Sequence, residues 1–180
     1  MLLPDVDLIP LDEVAPDLIL EEEYDTYTGN ALAKARAVVV VTGMPAIADD
    51  SGLEVDALGG APGVRSARYA GDAATDKDNN AKLVAELDGI PAAQRKCRYR
   101  CVAVAVFPDG HEVIAEGTCE GIVVLDGRGT LGFGYDPHVI PQGEARTMGE
   151  IPLKEKLAFS HRGRAFRDLG ARLHREEGHT

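Results

Sequence analysis

Two adjacent carboxylates, Asp49 and Asp50, stand at the end of a short apolar run and are followed by Ser51 and Gly52. Successive side chains of a strand point to opposite faces, so only one of these acids faces a given site. A carboxylate placed there can hold Mg2+ or take a proton from water. The same residues also suit an Asx-type turn with solvated acids. In Gly132-Phe133-Gly134-Tyr135-Asp136-Pro137, two glycines flank an aromatic residue. They let the backbone approach a flat ligand on which Phe133 stacks; the competing reading is a glycine-rich turn with Phe133 tucked into the core. Without a following helix, Gly-x-Gly says little about phosphate binding. Lys156 precedes Ser160-His161-Arg162-Gly163, where Ser160 is a preferred helix N-cap. His161 and Arg162 then occupy a first helical turn that already favours anions. A cationic pair is mismatched there unless an anion binds, and the alternative is a solvated surface. Finally, Glu21-Glu22-Glu23 lies ahead of Thr26, Asn30 and Lys34. Asn30 and Lys34 share a helix face, although acids near one lysine also describe an ordinary solvated surface.

Other chemistries find no support. His111, His138, His174 and His179 have no metal-ligand spacing, and none is assigned to a metal. There is no Gly-x-Ser-x-Gly elbow and no Walker loop, which disfavours serine hydrolases and P-loop nucleotide hydrolases. The net charge of −11 argues against a nucleic-acid polymer, which needs a basic face, but not against a small anionic ligand. Cys97, Cys101 and Cys119 form neither a Cys-x-x-Cys pair nor an even set, and read as reduced thiols in or near strands. No apolar run reaches the roughly 18 residues of a membrane span. Residues Met1 to Asp7 lack the basic start of a secretory signal, so the cytoplasm is the expected address and no membrane partner is expected.

The elements that must position these residues follow from pattern. At 180 residues the chain fits one domain, or one domain with a small lobe, and can bury a core. Leu2 to Leu20, spaced by prolines, reads as an extended segment or short strand with turns. Asn30 to Val41 is Ala-rich and predicts a helix capped by Thr28 or Gly29 and stopped by Gly43. Pro45 to Ala48 predicts a short strand, and Leu53 to Leu58 a second strand or turn. Thr75 to Leu87 predicts a helix with Leu83, Val84 and Leu87 on one face and Asp76 and Asp78 in its first turn. Tyr99 to Phe107 is a Val-rich strand, Pro108-Asp109-Gly110 a hairpin turn, and His111 to Leu125 a return broken near Gly117 and Gly121. Gly127 to Gly134 is a loop. A last helix starts near Ser160 and buries Ala165, Phe166, Leu169 and Leu173. The expected class is α/β with a mixed sheet.

In order along the chain, these segments resemble the RdgB-type inosine/xanthosine triphosphate pyrophosphatase family. The resemblance runs through Thr26 to Ala35, Pro45 to Ala70, Gly132 to Pro137 and Glu155-Lys156 into Ser160-His161-Arg162-Gly163-Arg164-Ala165. It implies a long mixed sheet with flanking helices in two lobes, and a homodimer. It further implies Mg2+-dependent hydrolysis of noncanonical purine nucleoside triphosphates (ITP, dITP, XTP) to the monophosphate and pyrophosphate, by water attacking the α-phosphorus. By position, Asp50 resembles the general base and a metal carboxylate. Glu22 resembles the second metal carboxylate, with the register open by one residue in the three-Glu run. Ser51 would contact substrate. Phe133, Gly134, Tyr135 and Asp136 would form the base pocket, completed by His161 and Arg162, while Lys156 and Lys34 would face the nucleotide and its phosphates.

The chain departs from the family pattern at Gly29, where many members carry an acid, and at Leu131, where the loop usually has a glycine. It also shows no match to the opening strand, Ser/Thr-x-Asn-x-x-Lys turn and first helix. The expectation is therefore a single domain over 1–180 lacking that phosphate-binding start, poorly stable alone and nearly inactive until about 20 to 25 upstream residues are restored, the length of a strand, turn and helix. Two alternatives compete: a truncated or degenerate homologue that binds nucleotide or partner subunits without turnover, and a Maf-type pyrophosphatase, against which the Ser-His-Arg and Phe-Gly-Tyr-Asp motifs argue.

Overall fold

The computed structural model describes residues 7–20 and 22–177. Its class is α/β: helices α1 (Leu11–Val14), α2 (Tyr27–Thr42), α3 (Asp76–Glu86), α4 (Leu153–Phe159) and α5 (His161–Glu177) accompany strands β1 (Ala46–Val55), β2 (Lys96–Val106), β3 (Glu112–Val123) and β4 (Val139–Pro141). The strands form one sheet in the order β1-β2-β3-β4. β3 and β4 run antiparallel, with Gly121, Ile122 and Val123 opposite Pro141, Ile140 and Val139. The chain divides into two compact units, one comprising Met1–Asp50, Cys101–Gly117 and Arg162–Thr180, the other Ser51–Arg100 and Thr118–His161.

In the first unit, α2 forms because an Ala-rich stretch is bounded by strong signals. Thr26, not Thr28 or Gly29, is the N-cap; its side chain accepts from Gly29 N–H at 3.1 Å. Gly43, at φ 68°, ends the helix as the sequence predicts. Ala31 and Ala35 are fully buried. The core combines Cys101, Ala103 and Ala105 of β2 and Val113 and Ala115 of β3 with Ala165 and Leu169 of α5; Phe166 and Leu173 pack against it. Those are the α5 positions that helical periodicity selects. Residues Cys101 to Val106 are all buried, so this part of β2 is continuously apolar rather than alternating.

The second unit is built around Leu53, Val55, Leu83, Leu87, Cys97, Tyr99, Cys119, Val123, Tyr135, Val139 and Met148. Its helix α3 opens on a capping box in which Thr75 and Asp78 satisfy one another's backbone N–H groups. Of the predicted face, Leu83 and Leu87 reach the core, while Val84 is only partly buried. The cysteines are free thiols buried in β2 and β3, and burial pushes Cys97 up to about 12.

Several predicted boundaries change. Leu11–Val14 is a single helical turn, and among the described residues of the N-terminal segment there is no strand; Leu2 to Val6 and Glu21 lie outside the described residues. Asp49-Asp50-Ser51-Gly52 is not a turn but the middle of the continuous strand β1, and Asp56–Leu58 is a 3-10 turn. The return strand β3 is unbroken. Gly121 does not interrupt it; a Cβ there would lie 2.5 Å from the carbonyl oxygen of Ile140, so glycine permits the close approach of β4. Helix α4 is an element the sequence patterns do not reveal, and Ser160 follows it as its C-cap.

Candidate active site

The pleat of β1 separates its paired acids. Asp50, 6% exposed, accepts from Asn30 Nδ2 at 3.0 Å. Asn30 is fully buried on α2, and its Oδ1 accepts from the backbone N–H of Tyr24 at 2.9 Å. One turn further along α2, Lys34 lies 2.8 Å from Glu22 Oε1 and 3.9 Å from Asp50 Oδ1. One ammonium thus sits within reach of two carboxylates, and the Asn30–Lys34 spacing is what brings both to Asp50. Glu23 is exposed and Glu21 lies outside the described residues, so Glu22 is the described member of the run that joins this group.

Asp49 turns the other way. Its Oδ2 accepts from Arg162 Nε at 3.2 Å and Nη2 at 2.9 Å, and the Cys101 thiol lies 3.7 Å away. Arg162 is in the first turn of α5. The electrostatic mismatch of a cation there is relieved by a carboxylate of the protein itself.

In the second unit, Asp136 is buried and receives Lys156 Nζ at 2.7 Å on Oδ2 and the Tyr99 hydroxyl at 3.2 Å on Oδ1. The Tyr99 ring stacks on the His161 imidazole, with centroids 4.7 Å apart. Burial, then the Asp136 charge, holds the Tyr99 hydroxyl well above the usual tyrosine range, so it remains a donor. Gly132 has φ 93°, and a Cβ there would collide with the Asp136 carboxylate and the Lys156 ammonium. This glycine is required by close approach as well as by conformation. Tyr135 is buried and donates to the carbonyl of Ser66 at 2.8 Å. Phe133 is not in the core: it is 66% exposed. Ser51 follows Asp50 in β1 and is partly buried.

Of the residues singled out from sequence, Glu22, Lys34 and Asp50 therefore meet in the first unit, and Asp136, Lys156 and His161 are linked through Tyr99 in the second. Arg162 joins Asp49 rather than either group. Sequence reasoning grouped Asn30 with Lys34 and Asp49 with Asp50 but gave neither Asn30 nor Asp49 a role, and it did not single out Tyr99. The i, i+4 spacing of Asn30 and Lys34 carried a signal for the first; Tyr99 looked like any strand residue. The departures from the family pattern are accommodated locally. A Cβ at Gly29 would lie 2.8 Å from Thr26 Oγ1 and from Tyr24 Cβ, and the Leu131 side chain points outward, 46% exposed.

Among the described residues no group of three or more His, Cys, Asp or Glu side chains forms a metal cage. Glu22 and Asp50 still suit a hard divalent ion such as Mg2+, which is commonly held by one or two carboxylates plus substrate phosphates and water. Both carboxylates lie within 4 Å of the one Lys34 ammonium. No helix among the described residues is long and apolar enough to cross a membrane.

Known proteins are similar to this chain along most of its length. The protein from Geobacter sulfurreducens named dITP/XTP pyrophosphatase is 46% identical over 158 residues, covering 88% of this chain and 79% of that protein. The dITP/XTP pyrophosphatase of Methylococcus capsulatus is 50% identical over 155 residues, 85% of this chain and 77% of that protein. Among solved structures, the Ham1 protein of Staphylococcus aureus superposes with a TM-score of 0.88 at 36% identity, covering 97% of this chain and 90% of that one. A HAM1 protein from Coxiella burnetii gives 0.87 at 39% identity with the same coverage. The profile of the Ham1 family matches residues 2–172. With the profile, the relatives and the superposed fold each covering most of the chain, the chain belongs to the Ham1 family.

Proposed function

We propose that this chain hydrolyses the noncanonical purine nucleoside triphosphates ITP, dITP and XTP to the monophosphate and pyrophosphate, clearing them from the cytoplasmic nucleotide pool. The observation that carries this reading is Asp50: a nearly buried carboxylate fixed by Asn30 on one oxygen and facing, with the other, the Lys34 ammonium that also pairs with Glu22. The names of the relatives support the substrate class.

In the proposed reaction Asp50 takes a proton from a water molecule as the water oxygen bonds to the α-phosphorus. The bond from that phosphorus to the bridging oxygen breaks, and pyrophosphate leaves with the electron pair. Lys34 and Lys156 bring positive charge to the nucleotide and its phosphates, and Ser51 contacts the substrate. Glu22 and Asp50 would hold Mg2+, which when bound would neutralise phosphate charge and orient the water. Phe133, Gly134, Tyr135, Asp136, His161 and Arg162 read the base. Hypoxanthine and xanthine present a 6-keto acceptor where adenine presents an amino donor. Donors such as Arg162 or the backbone N–H groups near Tyr135 would be left unpaired by adenine, a mismatch that discriminates strongly.

The test is product analysis with ITP, dITP, XTP and ATP, with and without a divalent ion, beside sedimentation to check the homodimer that forms part of this proposal. Pyrophosphate release from the first three, stopped by a chelator and far slower with ATP, is the expected result. Direct release of orthophosphate refutes the reaction. Nucleotide binding with no product favours a binding protein without turnover.

A further inference from the structure

We infer that Asp76 and Asn80, four residues apart on α3, are positioning residues that preset the Phe133-Gly134 backbone for purine binding; the inference rests on the function proposed above. Both backbone groups of Gly134 are taken by this one helix. The Gly134 N–H donates to Asp76 Oδ2 at 2.6 Å, and the Gly134 carbonyl accepts from Asn80 Nδ2 at 2.8 Å. The i, i+4 spacing places the two side chains on one face of α3, so they can hold successive peptide planes of the loop at once.

Three observations make this more than a loop tether. Gly134 sits at φ 58°, where glycine is permissive, and the turn's own bond, Phe133 O accepting from Asp136 N–H at 3.2 Å, leaves both Gly134 groups to α3. Phe133, just before it, is 66% exposed, and the backbone that α3 holds at Gly134 is the one that carries its ring. Asn80 also spends its amide in an unusual way. Nδ2 bonds the carbonyls of both Gly134 and Asp76, while Oδ1 is buried with no hydrogen-bond partner. A buried acceptor left unmade is a cost, so the side chain is held there for its donors. The helix itself is firmly seated. Leu83 and Leu87 enter the core that also contains Tyr135, and Asn79 bonds Ala67 O at 2.9 Å and Ala70 N at 2.8 Å. An aromatic residue that must be ordered on binding loses entropy at that moment; a clamp on its backbone moves that loss into folding and strengthens binding.

The experiment is steady-state kinetics on dITP, with thermal melts and calorimetry using IMP, for the wild type, Asn80→Leu, Asp76→Ala, Asp76→Asn, Phe133→Ala and the Asp76→Ala/Phe133→Ala pair. Asn80→Leu and Asp76→Ala should each raise KM about tenfold, the scale of one hydrogen bond to the loop, with kcat within about twofold. Asp76→Asn, which keeps an acceptor oxygen, should recover most of the loss. In the Phe133→Ala background Asp76→Ala should raise KM no further. A purely structural role would instead lower melting temperature and kcat together with KM unchanged, and that result overturns the clamp. So does an Asp76→Ala effect that adds fully to Phe133→Ala. A wild type that turns over dITP but yields variants with unaltered KM overturns the clamp alone; a wild type that neither turns over dITP nor binds IMP overturns the proposed function and the clamp with it.

Discussion

Lys156 Nζ lies 2.7 Å from Asp136 Oδ2, and the two side chains are only 9% and 12% exposed. Burying two charges is costly unless they are paired and their remaining hydrogen-bonding capacity is met. Here the carboxylate's other oxygen accepts from Tyr99, and Lys156 also donates to the carbonyl of Leu131 at 3.4 Å. The loop that carries Phe133 and Gly134 is therefore anchored from below by a satisfied ion pair, against which Gly132 packs too closely for any side chain.

Removing one member of that pair leaves the other buried and uncompensated. Lys156→Met should cost about 3–5 kcal/mol of stability by denaturant titration, together with most turnover. Adding Asp136→Asn should recover much of the stability and none of the activity. A Lys156→Met protein with unchanged midpoint and unchanged kcat would remove the pair from both roles.

Asp50→Asn keeps the shape and the bond to Asn30 but loses the proton acceptor. If general-base catalysis carries the step, kcat should fall by roughly 10² to 10⁴ while substrate affinity changes much less. Near-normal turnover would move the role to Asp49 or another acid.

Arg162→Ala should narrow the gap between ITP and ATP in kcat/KM, whereas Lys156→Ala should weaken both substrates alike. The comparison needs only the two rate ratios. Unchanged discrimination in Arg162→Ala would leave base reading to the loop from Phe133 to Asp136.

Acid should weaken the protein partly through its caps. The Thr75 side-chain hydrogen bond holds Asp78 below the usual aspartate range, and the backbone N–H of Thr147 does the same for Glu150. Because both folded-state values are lowered, their contribution is present above the ordinary carboxylate range and is lost as pH falls through the folded-state values. Melting temperature against pH should therefore separate the wild type from Asp78→Asn/Glu150→Gln at neutral pH, with the curves converging in acid. A gap that persists at the lowest pH would show that the caps act through something other than charge.

Much of the local structure was legible in the residues themselves. The Ala-rich run before Gly43, the Leu83 and Leu87 spacing of α3, the Pro108-Asp109-Gly110 turn and the Ala165-Leu169 face of α5 follow from period and turn chemistry, which depend on near neighbours. The opposite orientation of Asp49 and Asp50 also follows from the pleat alone. Boundaries were less legible where sheet pairing overrode a local signal. Asp49 to Gly52 reads as a turn but is held in β1, and Gly121 reads as a break but serves the close approach of Ile140. Helix α4 is only seven residues with Leu153 71% exposed, too short to show a period. Only the tertiary structure decided the partners. Arg162 meets Asp49 across 113 residues, Lys34 joins Glu22 to Asp50, and Tyr99 links His161 to Asp136. Residue types at a given spacing state what chemistry is available. Which groups meet depends on strand register and core packing summed over distant segments, and no local window contains that information.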